Sequence, residues 1–212
     1  MPLFKTITPW PDTQIFIWKI EESREIMENG MDLTTQSRNR LESMKSLVHQ
    51  CGFLSIRWAL KAAGYVDADL FYDTQGKPHL TDGRYISITH AHAFSGIIVS
   101  DQPVGIDIEA QRHKIIRIAH KFVNAQEWPC HPTIEDQVTA LIKLWTAKES
   151  MYKLVSQTGL SFLNHMQVMN FSPTNTQALG RVAQQEESRQ FDLRFFDFEG
   201  HTCGYTRELG AT

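Results

Sequence analysis

Residues 105–109 read Gly-Ile-Asp-Ile-Glu, and residues 145–153 read Trp-Thr-Ala-Lys-Glu-Ser-Met-Tyr-Lys. The first stretch predicts a strand. Because side chains two residues apart on a strand share a face, Asp107 and Glu109 point to one side and the two isoleucines to the other. We expect the isoleucines to enter the core and the acids to face a cleft or solvent. A solvated acidic face on an edge strand is the simpler interpretation of this stretch taken alone.

The second stretch predicts the end of a long helix, because apolar side chains recur at helical spacing. Glu149 falls on the apolar stripe between Trp145 and Tyr152. A carboxylate there is costly to bury unless a cation or hydrogen-bond donors compensate it. Lys153, one turn later, offers a simple ion pair with Glu149. The alternative is a metal ligand beside a phosphate-binding lysine, with Trp145 packing to fix how the helix presents Glu149.

The two stretches together favour that alternative. Asp107, Glu109 and Glu149 are hard oxygen ligands, the kind that Mg²⁺ prefers when it bridges a diphosphate, and Mn²⁺ is a second possibility. Lys153 would add positive charge for the phosphate oxygens. The sequence thus predicts a magnesium site formed by a strand and a helix.

The motifs resemble those of the 4′-phosphopantetheinyl transferases, specifically the longer, two-lobed Sfp-type. That family has a Gly-Ile-Asp-x-Glu strand and a Trp-x-x-Lys-Glu-(Ala/Ser)-x-x-Lys helix. Residues 76–78, Gly-Lys-Pro, resemble its Gly-Lys-Pro turn, and residues 88–90, Ile-Thr-His, resemble its Ile-Ser-His strand end. The good match covers residues 76–153.

The resemblance implies an α+β fold of two similar α+β lobes related by pseudo-twofold symmetry. We expect the boundary near Gln102. Residues 1–102 would form an N-terminal lobe that binds coenzyme A. Residues 103–212 would form a C-terminal lobe with the metal site and the carrier-protein docking surface.

The resemblance also implies the residues that bind coenzyme A. They are Lys77 near the adenine nucleotide, His90 at a phosphate with Thr89 nearby, and Lys153 at the diphosphate. On sequence alone, His90 is equally well explained as a capping or partly buried histidine, and Lys77 as a surface lysine.

One departure from the family pattern concerns the 3′-phosphate of coenzyme A. The family has an arginine ahead of its Phe-Leu-x-x-Arg segment, here residues 53–57, whereas this chain has His49 or Gln50 in that place. Arg40 is our candidate for the missing contact, with Arg38 and Lys45 as alternatives.

A basic face follows the acidic strand. Lys114, Arg117 and Lys121 share one side of a predicted helix, and Arg112 and His113 extend it. A solvated basic face is the common case, but such a strip would also steer an acidic carrier protein toward this chain.

Composition excludes several classes of protein. With 42% hydrophobic residues and mixed charge, 212 residues form a globular protein with a good core, as one large or two small domains. The net charge of −3 gives no general attraction to nucleic acid. No apolar run approaches the length of a membrane span. Cys51, Cys130 and Cys203 lack disulfide or metal spacing, which favours a reducing cytoplasm. Two lobes in one chain are compatible with a monomer.

Secondary structure alternates between helices and short strands. The predicted helices cover Glu21–Glu28, Thr35–Val48, Phe53–Ala63, Ile115–Phe122 and Ile134–Gln157, and a short helix follows Asn124 and Glu127. The predicted strands cover Gln14–Trp18, Ala68–Tyr72, Tyr85–His90, Gly96–Ser100, Val104–Glu109, Met166–Phe171, Gln190–Phe198 and His201–Arg207, the last two joined at Glu199-Gly200.

The function expected from the resemblance is that of a holo-acyl-carrier-protein synthase, that is, a 4′-phosphopantetheinyl transferase. It would move 4′-phosphopantetheine from coenzyme A to a serine of an apo carrier protein and release adenosine 3′,5′-bisphosphate. Glu149 is the candidate base and Lys153 a second catalytic residue. Fatty-acid, polyketide and nonribosomal-peptide carriers all remain open. Two rivals are a magnesium-dependent phosphohydrolase of another diphosphate and a non-catalytic relative that only binds carriers.

Overall fold

The computed structural model describes residues 3–127 and 133–210. The chain divides into two compact units, Met1–Gln102 and Pro103–Thr212. Each unit combines an antiparallel sheet with helices, so the mixture of helix and strand expected for an α+β protein is present. The pseudo-twofold relation between the lobes stays a prediction. Among the helices of the described residues, none has both the length and the apolar character needed to span a membrane.

Unit 1 places one long helix on a four-stranded sheet. Its strands are β1 (Leu3–Trp10), β2 (Thr13–Lys19), β3 (Leu70–Tyr72), β4 (Pro78–Leu80), β5 (Tyr85–Ala91) and β6 (Phe94–Ser100). Its helices are α1 (Arg24–Asn29), α2 (Thr35–Ser43) and α3 (Leu47–Ala62), and a 3₁₀ turn covers Asp67–Asp69. The sheet order is β1-β2-β6-β5, with β3 and β4 as a separate pair. Helix α3 buries Ile56 and Leu60 against Phe16 and Ile97.

A buried ion pair ties the helices of unit 1 together. Arg57 on α3 donates from Nε to Asp67 Oδ1 at 3.0 Å, and both side chains are buried. Asp67 also accepts hydrogen bonds from Thr34 and Ser37, which begin α2. Burial alone would raise the pKa of Asp67, but these hydrogen bonds outweigh it and lower the pKa. The carboxylate is therefore held ionised at the junction of α2, α3 and the 3₁₀ turn.

Unit 2 places its longest helix on a five-stranded sheet. Its strands are β7 (Val104–Ala110), β8 (Met166–Met169), β9 (Gln177–Gln184), β10 (Glu187–Phe198) and β11 (His201–Glu208). Its helices are α4 (Ile115–Ile118), a 3₁₀ turn at Ala119–Lys121, and α5 (Ile134–Val155). The sheet order is β7-β11-β10-β9-β8, with every neighbour antiparallel. Thr133 caps α5 by accepting from Asp136 N.

Glycines on the sheet let α5 lie unusually close to it. A Cβ on Gly105 would penetrate the carbonyl oxygen of Ser150, and one on Gly204 would lie 2.7 Å from Thr146 Oγ1. Gly105 and Gly204 lie on the neighbouring strands β7 and β11. Because real Cβ atoms keep clear of such contacts, only glycine is compatible with this separation of helix and sheet. The helix backbone is consequently in direct contact with the face of β7 that carries the acids.

Several expectations from the sequence need correction. Strands β1, β4 and β9 were not predicted, because their pairing comes from tertiary contacts more than from strong alternation. The helix expected to reach Val48 ends at Ser43. Ser46 adopts an extended conformation, and α3 then begins at Leu47, six residues before the predicted start. The helix predicted over Ile115–Phe122 is one α-helical turn followed by a 3₁₀ turn.

Two turn predictions can be examined in detail. Asn124 Oδ1 accepts from Glu127 N while Glu127 Oε2 accepts from Asn124 N, so the reciprocal bonds of a capping box are present. The short helix predicted to follow extends into residues 128–132, outside the described residues, as does Cys130. Glu199 and Gly200 have φ of 41° and 70° between β10 and β11, which confirms the predicted tight hairpin.

We expect Gly105→Ala to destabilise the protein by about 1–3 kcal/mol, because the methyl group must push α5 away from β7. Gly210→Ala is the matched control, since a Cβ there meets nothing within 4 Å. Urea unfolding followed by circular dichroism measures both. Equal stability of the two variants would show that α5 has room to move.

Candidate functional site

Asp107 lies under α5. It shares its face of β7 with Gly105, and only 6% of its surface is exposed. The expectation that the acids face an open cleft or solvent is therefore wrong for Asp107. Lys153 of α5 donates to Asp107 Oδ1 at 2.7 Å and to the carbonyl oxygen of Ile106 at 3.0 Å. The lysine pairs with the strand carboxylate and not with Glu149, so the simple pair within the helix is also wrong.

Glu149 is a half-buried carboxylate with an unusual proton affinity. Burial is the main cause that raises its pKa from 4.5 to about 7, and repulsion from Asp107 and Glu109 adds to the shift. Lys153 opposes the shift. A group with this pKa takes up and releases a proton near neutral pH, which is the property required of a general base.

Glu109 belongs to the same electrostatic cluster. Burial and then repulsion from Asp107 raise its pKa, while a hydrogen bond from the Trp145 side chain and the charge of Lys153 lower it. The sequence predicted that Trp145 packs, and its ring lies against Phe122 and Phe162, at 5.0 and 5.5 Å between centroids. Its effect on the pKa of Glu109 was not predicted.

The donor chemistry of this cluster suits a hard divalent cation. Asp107 raises the pKa of both glutamates by like-charge repulsion, and Lys153 supplies only one positive charge against three carboxyl groups. A divalent cation would relieve that repulsion. Within residues 3–127 and 133–210, however, no three His, Cys, Asp or Glu side chains stand in an arrangement that could hold a metal ion. The side chains would have to close around the ion, and the magnesium or manganese site stays a prediction.

Lys148 is a residue whose role the sequence did not reveal. It lies in the same motif as Glu149, yet its side chain is fully buried and the pKa of its amine is lowered by desolvation. Its Nζ donates to Glu127 Oε2 at 2.7 Å and to the carbonyl oxygens of Phe122 and Phe162. Glu127 Oε1 in turn accepts from Val168 N. The buried pair of Lys148 and Glu127 fastens α5 to segment 122–127 and to β8. Lys148 immediately precedes Glu149, so this anchor lies next to the candidate base.

The residues expected to bind coenzyme A in unit 1 occupy β5 and the β3–β4 turn. The turn is formed as the Gly-Lys-Pro motif indicates, with Gly76 at φ 82° and the backbone N–H of Lys77 donating to Asp73. Thr89 is buried on β5. His90 is exposed at its end, and its ring packs against Gly52 of α3. Their roles toward coenzyme A stay predictions.

Two of the three basic candidates for the 3′-phosphate, Arg38 and Arg40, have protein partners of their own. Arg38 pairs with Glu28 at 3.4 Å. The guanidinium of Arg40 lies over the rings of Tyr72 and Phe53, at 5.1 and 5.9 Å from their centroids. Arg40 is exposed at the end of α2, so an anion could still reach it. The structure favours none of these candidates over the others.

The basic face after β7 is on the surface. Its side chains are all exposed, namely Arg112, His113, Lys114, Arg117 and Lys121. Ile115, Ala119 and Phe122 turn inward to the core of unit 2. The basic strip is therefore accessible, as docking requires; its partner stays a prediction.

Comparison with known proteins links these motifs to one superfamily. The family model described as 4′-phosphopantetheinyl transferase superfamily matches residues 103–206. A protein of Aneurinibacillus migulanus named 4′-phosphopantetheinyl transferase gsp is 33% identical over 84 residues, which are 39% of this chain and 35% of that protein. A 4′-phosphopantetheinyl transferase of Bacillus subtilis is 32% identical over 111 residues, 49% of this chain and 48% of that protein. The matched stretches thus span less than half of either relative. The resemblance that the motifs indicated is confirmed.

We expect Glu149→Gln to stabilise the metal-free protein above neutral pH. In the unfolded chain this carboxyl releases its proton near pH 4.5, but in the fold it does so near pH 7. The folded state binds more protons between these values, so stability falls as pH rises through that window. The variant should gain about 1–3 kcal/mol over the wild type at pH values above 7 and nothing at pH values below 4.5.

Urea unfolding in EDTA across this range measures the effect. Glu186→Gln, at an exposed turn, is the matched control and should show no such pH dependence. A gain for Glu149→Gln that is the same at every pH would contradict the raised pKa.

Proposed function

We propose that this chain, whose residues 103–206 belong to the 4′-phosphopantetheinyl transferase superfamily, transfers 4′-phosphopantetheine from coenzyme A to a serine hydroxyl of an apo carrier protein. The observation that carries the proposal is the cluster of Asp107, Glu109 and Glu149 around Lys153, which lies wholly inside the matched stretch. We place the reaction in the cytoplasm, with the chain acting as a monomer.

The reaction is a phosphoryl transfer. The serine oxygen forms a bond to the phosphorus that carries pantetheine, and the diphosphate bond of coenzyme A breaks. The serine proton goes to Glu149, and adenosine 3′,5′-bisphosphate leaves. General-base assistance of this kind contributes about 10²–10⁴-fold. The half-buried position of Glu149 supports the role, because in the metal-free chain burial raises its pKa to about 7.

Asp107, Glu109 and Glu149 would hold Mg²⁺. When bound, the ion would neutralise negative charge on the phosphate oxygens. Lys153 contributes a second positive charge from α5, and its bond to Asp107 fixes the position of that charge relative to β7. Trp145 holds Glu109 in place by its hydrogen bond. Lys77, Thr89, His90 and Arg40 in unit 1 are the proposed contacts to coenzyme A.

The test is the intact mass of an apo carrier protein after incubation with this protein, coenzyme A and Mg²⁺. We expect a gain of one phosphopantetheine that is lost in EDTA. Glu149→Gln should lower the rate by about 10²–10⁴-fold because the base is removed. Glu135→Gln, an exposed substitution in the first turn of α5, is the matched control and should stay active.

The other outcomes separate the rivals. Binding of coenzyme A without transfer to any of several carriers would favour a non-catalytic relative. Cleavage of a diphosphate without a carrier would favour a phosphohydrolase. A fully active Glu149→Gln would remove the assignment of the base.

The exposed basic strip is the proposed dock for the carrier protein. Its positive charge stands out in a chain of net charge −3, and it would attract an acidic partner at long range. Such attraction raises the association rate and weakens as salt is added. Ile115, Ala119 and Phe122 are buried and Ile116 and Ile118 are partly buried, whereas the basic side chains are all exposed, so charge is the main feature that this surface presents.

We expect the double variant Arg117→Glu and Lys121→Glu to slow association with the carrier at low salt and to lose most of its salt dependence. Surface-based kinetics over a range of salt concentrations measure this. Arg181→Glu reverses an exposed charge on β9 and is the matched control. Unchanged association by the double variant would exclude the strip as the dock.

A further inference from the structure

A single carboxylate holds the turn between β3 and β4. Asp73 follows β3, and its Oδ1 accepts hydrogen bonds from the backbone N–H groups of Gln75 and Lys77, each at 2.9 Å. The backbone closes the same turn, because Asp73 N donates to the carbonyl oxygen of Lys77 at 3.1 Å. Gly76 N donates to the carbonyl oxygen of Asp73 at 3.0 Å. The N–H and the carbonyl group of Lys77 are therefore both bonded to Asp73.

A histidine of β4 fixes the second oxygen of that carboxylate. Asp73 Oδ2 lies 3.0 Å from His79 Nε2. The hydrogen bond with His79 is the largest cause that lowers the pKa of Asp73, and the bond from the backbone N–H of Lys77 is the next. Because an ionised carboxylate can only accept hydrogen bonds, His79 Nε2 carries the proton and donates it to this bond.

An aromatic ring orients His79 in turn. Phe71 of β3 is the strand partner of His79, and their rings stack with centroids 5.4 Å apart and planes inclined by 22°. Phe71 is 49% exposed, so the stack lies on the outer face of the hairpin. The neighbouring pair, Leu70 and Leu80, is buried. The stack therefore limits the rotation of His79 away from Asp73.

Packing does not order this turn. Residues 73–76 are exposed, and a Cβ on Gly76 would meet nothing within 4 Å. Strands β3 and β4 have three residues each, and an isolated two-stranded hairpin is marginally stable at best. Exposed loops of this kind are normally more mobile than the elements they connect. The Asp73 carboxylate thus supplies order that burial does not supply.

We infer that Asp73 and His79 are positioning residues for coenzyme A, which order the turn so that Lys77 is already placed for the adenine nucleotide before the ligand arrives. The inference rests on the proposed function, in which Lys77 contacts coenzyme A. Ordering a loop in its bound conformation raises affinity, because binding then loses less conformational entropy. Asp73 and His79 act through Lys77 and do not themselves touch the ligand.

The two residues act in series, so their removal has effects of different size. Asp73→Ala removes the acceptor of two backbone N–H groups and the partner of His79. Asp73→Asn keeps an oxygen that can accept from the backbone and loses only the charge. His79→Phe keeps a ring to stack on Phe71 and releases only Oδ2 of Asp73. We therefore expect Asp73→Ala to be the most damaging of the three.

The experiment combines calorimetric titration of the whole protein with coenzyme A in EDTA and the kinetics of transfer to an apo carrier protein. We expect Asp73→Ala to raise both Kd and KM for coenzyme A by about three- to tenfold. The other two variants should have smaller effects in the same direction. The value of kcat and the KM for the carrier should stay unchanged, because a placed Lys77 strengthens binding in the ground state and the transition state alike.

Asp82→Ala is the matched control. Asp82 Oδ1 accepts from the backbone N–H of Arg84 at 3.0 Å, so this exposed carboxylate also orders a turn of unit 1, but one without a proposed ligand contact. If Asp73 only stabilised its hairpin, both alanine variants would lower the midpoint of urea unfolding and neither would change the binding of coenzyme A.

A double-mutant cycle shows through which residue Asp73 acts. Lys77→Ala alone should weaken the binding of coenzyme A, and Asp73→Ala should add nothing in that background. Additive effects of the two substitutions would mean that Asp73 influences binding by another route, and would overturn the inference.

Unchanged binding in Asp73→Ala or in Lys77→Ala, or a loss in kcat with KM unchanged, would also overturn the inference and leave the transfer reaction untouched. A wild type that neither binds coenzyme A nor modifies a carrier would overturn both.

Discussion

The close contact of α5 with β7 is the constraint on which the second unit depends. Gly105 lies against the backbone of Ser150, and that contact fixes the height of the helix above the sheet. Asp107 is two residues further along the same strand face, and Lys153 is about one turn further along the helix. At this separation the lysine reaches Asp107 and the carbonyl oxygen of Ile106. A side chain in place of Gly105 would change the position of every charge in the cluster.

The lysines of α5 have different roles, and their environments explain the difference. Lys148 is fully buried and bound by Glu127 and two carbonyl oxygens, so its charge is used inside the fold. Lys143 is buried too, and donates to the carbonyl oxygen of Pro173 and to Asp197. Lys153 keeps 28% of its side chain exposed. Of these three, it is the lysine whose charge faces both solvent and the carboxyl cluster, so it can meet a phosphate.

Unit 1 shows a comparable division among its cations. Arg57 is committed to Asp67 inside the unit, and Arg38 to Glu28 on its surface. The guanidinium of Arg40, by contrast, lies over the rings of Tyr72 and Phe53 and stays exposed at the end of α2.

The sequence by itself determined the motifs, most of the elements and the residues worth testing. The strand at Asp107 and Glu109 and the long helix at Glu149 were both predictable, because periodicities of two and of 3.6 residues are local properties. The resemblance to the 4′-phosphopantetheinyl transferase superfamily followed from the same residues. Strand β1 and the break between α2 and α3 were not predictable, since they depend on pairing and packing with distant parts of the chain. Only the tertiary structure decided that Lys153 pairs with Asp107 and that Lys148 is an internal charge. Each of these depends on how closely a helix approaches a sheet. That distance cannot be inferred from the spacing of residues along a single helix or strand.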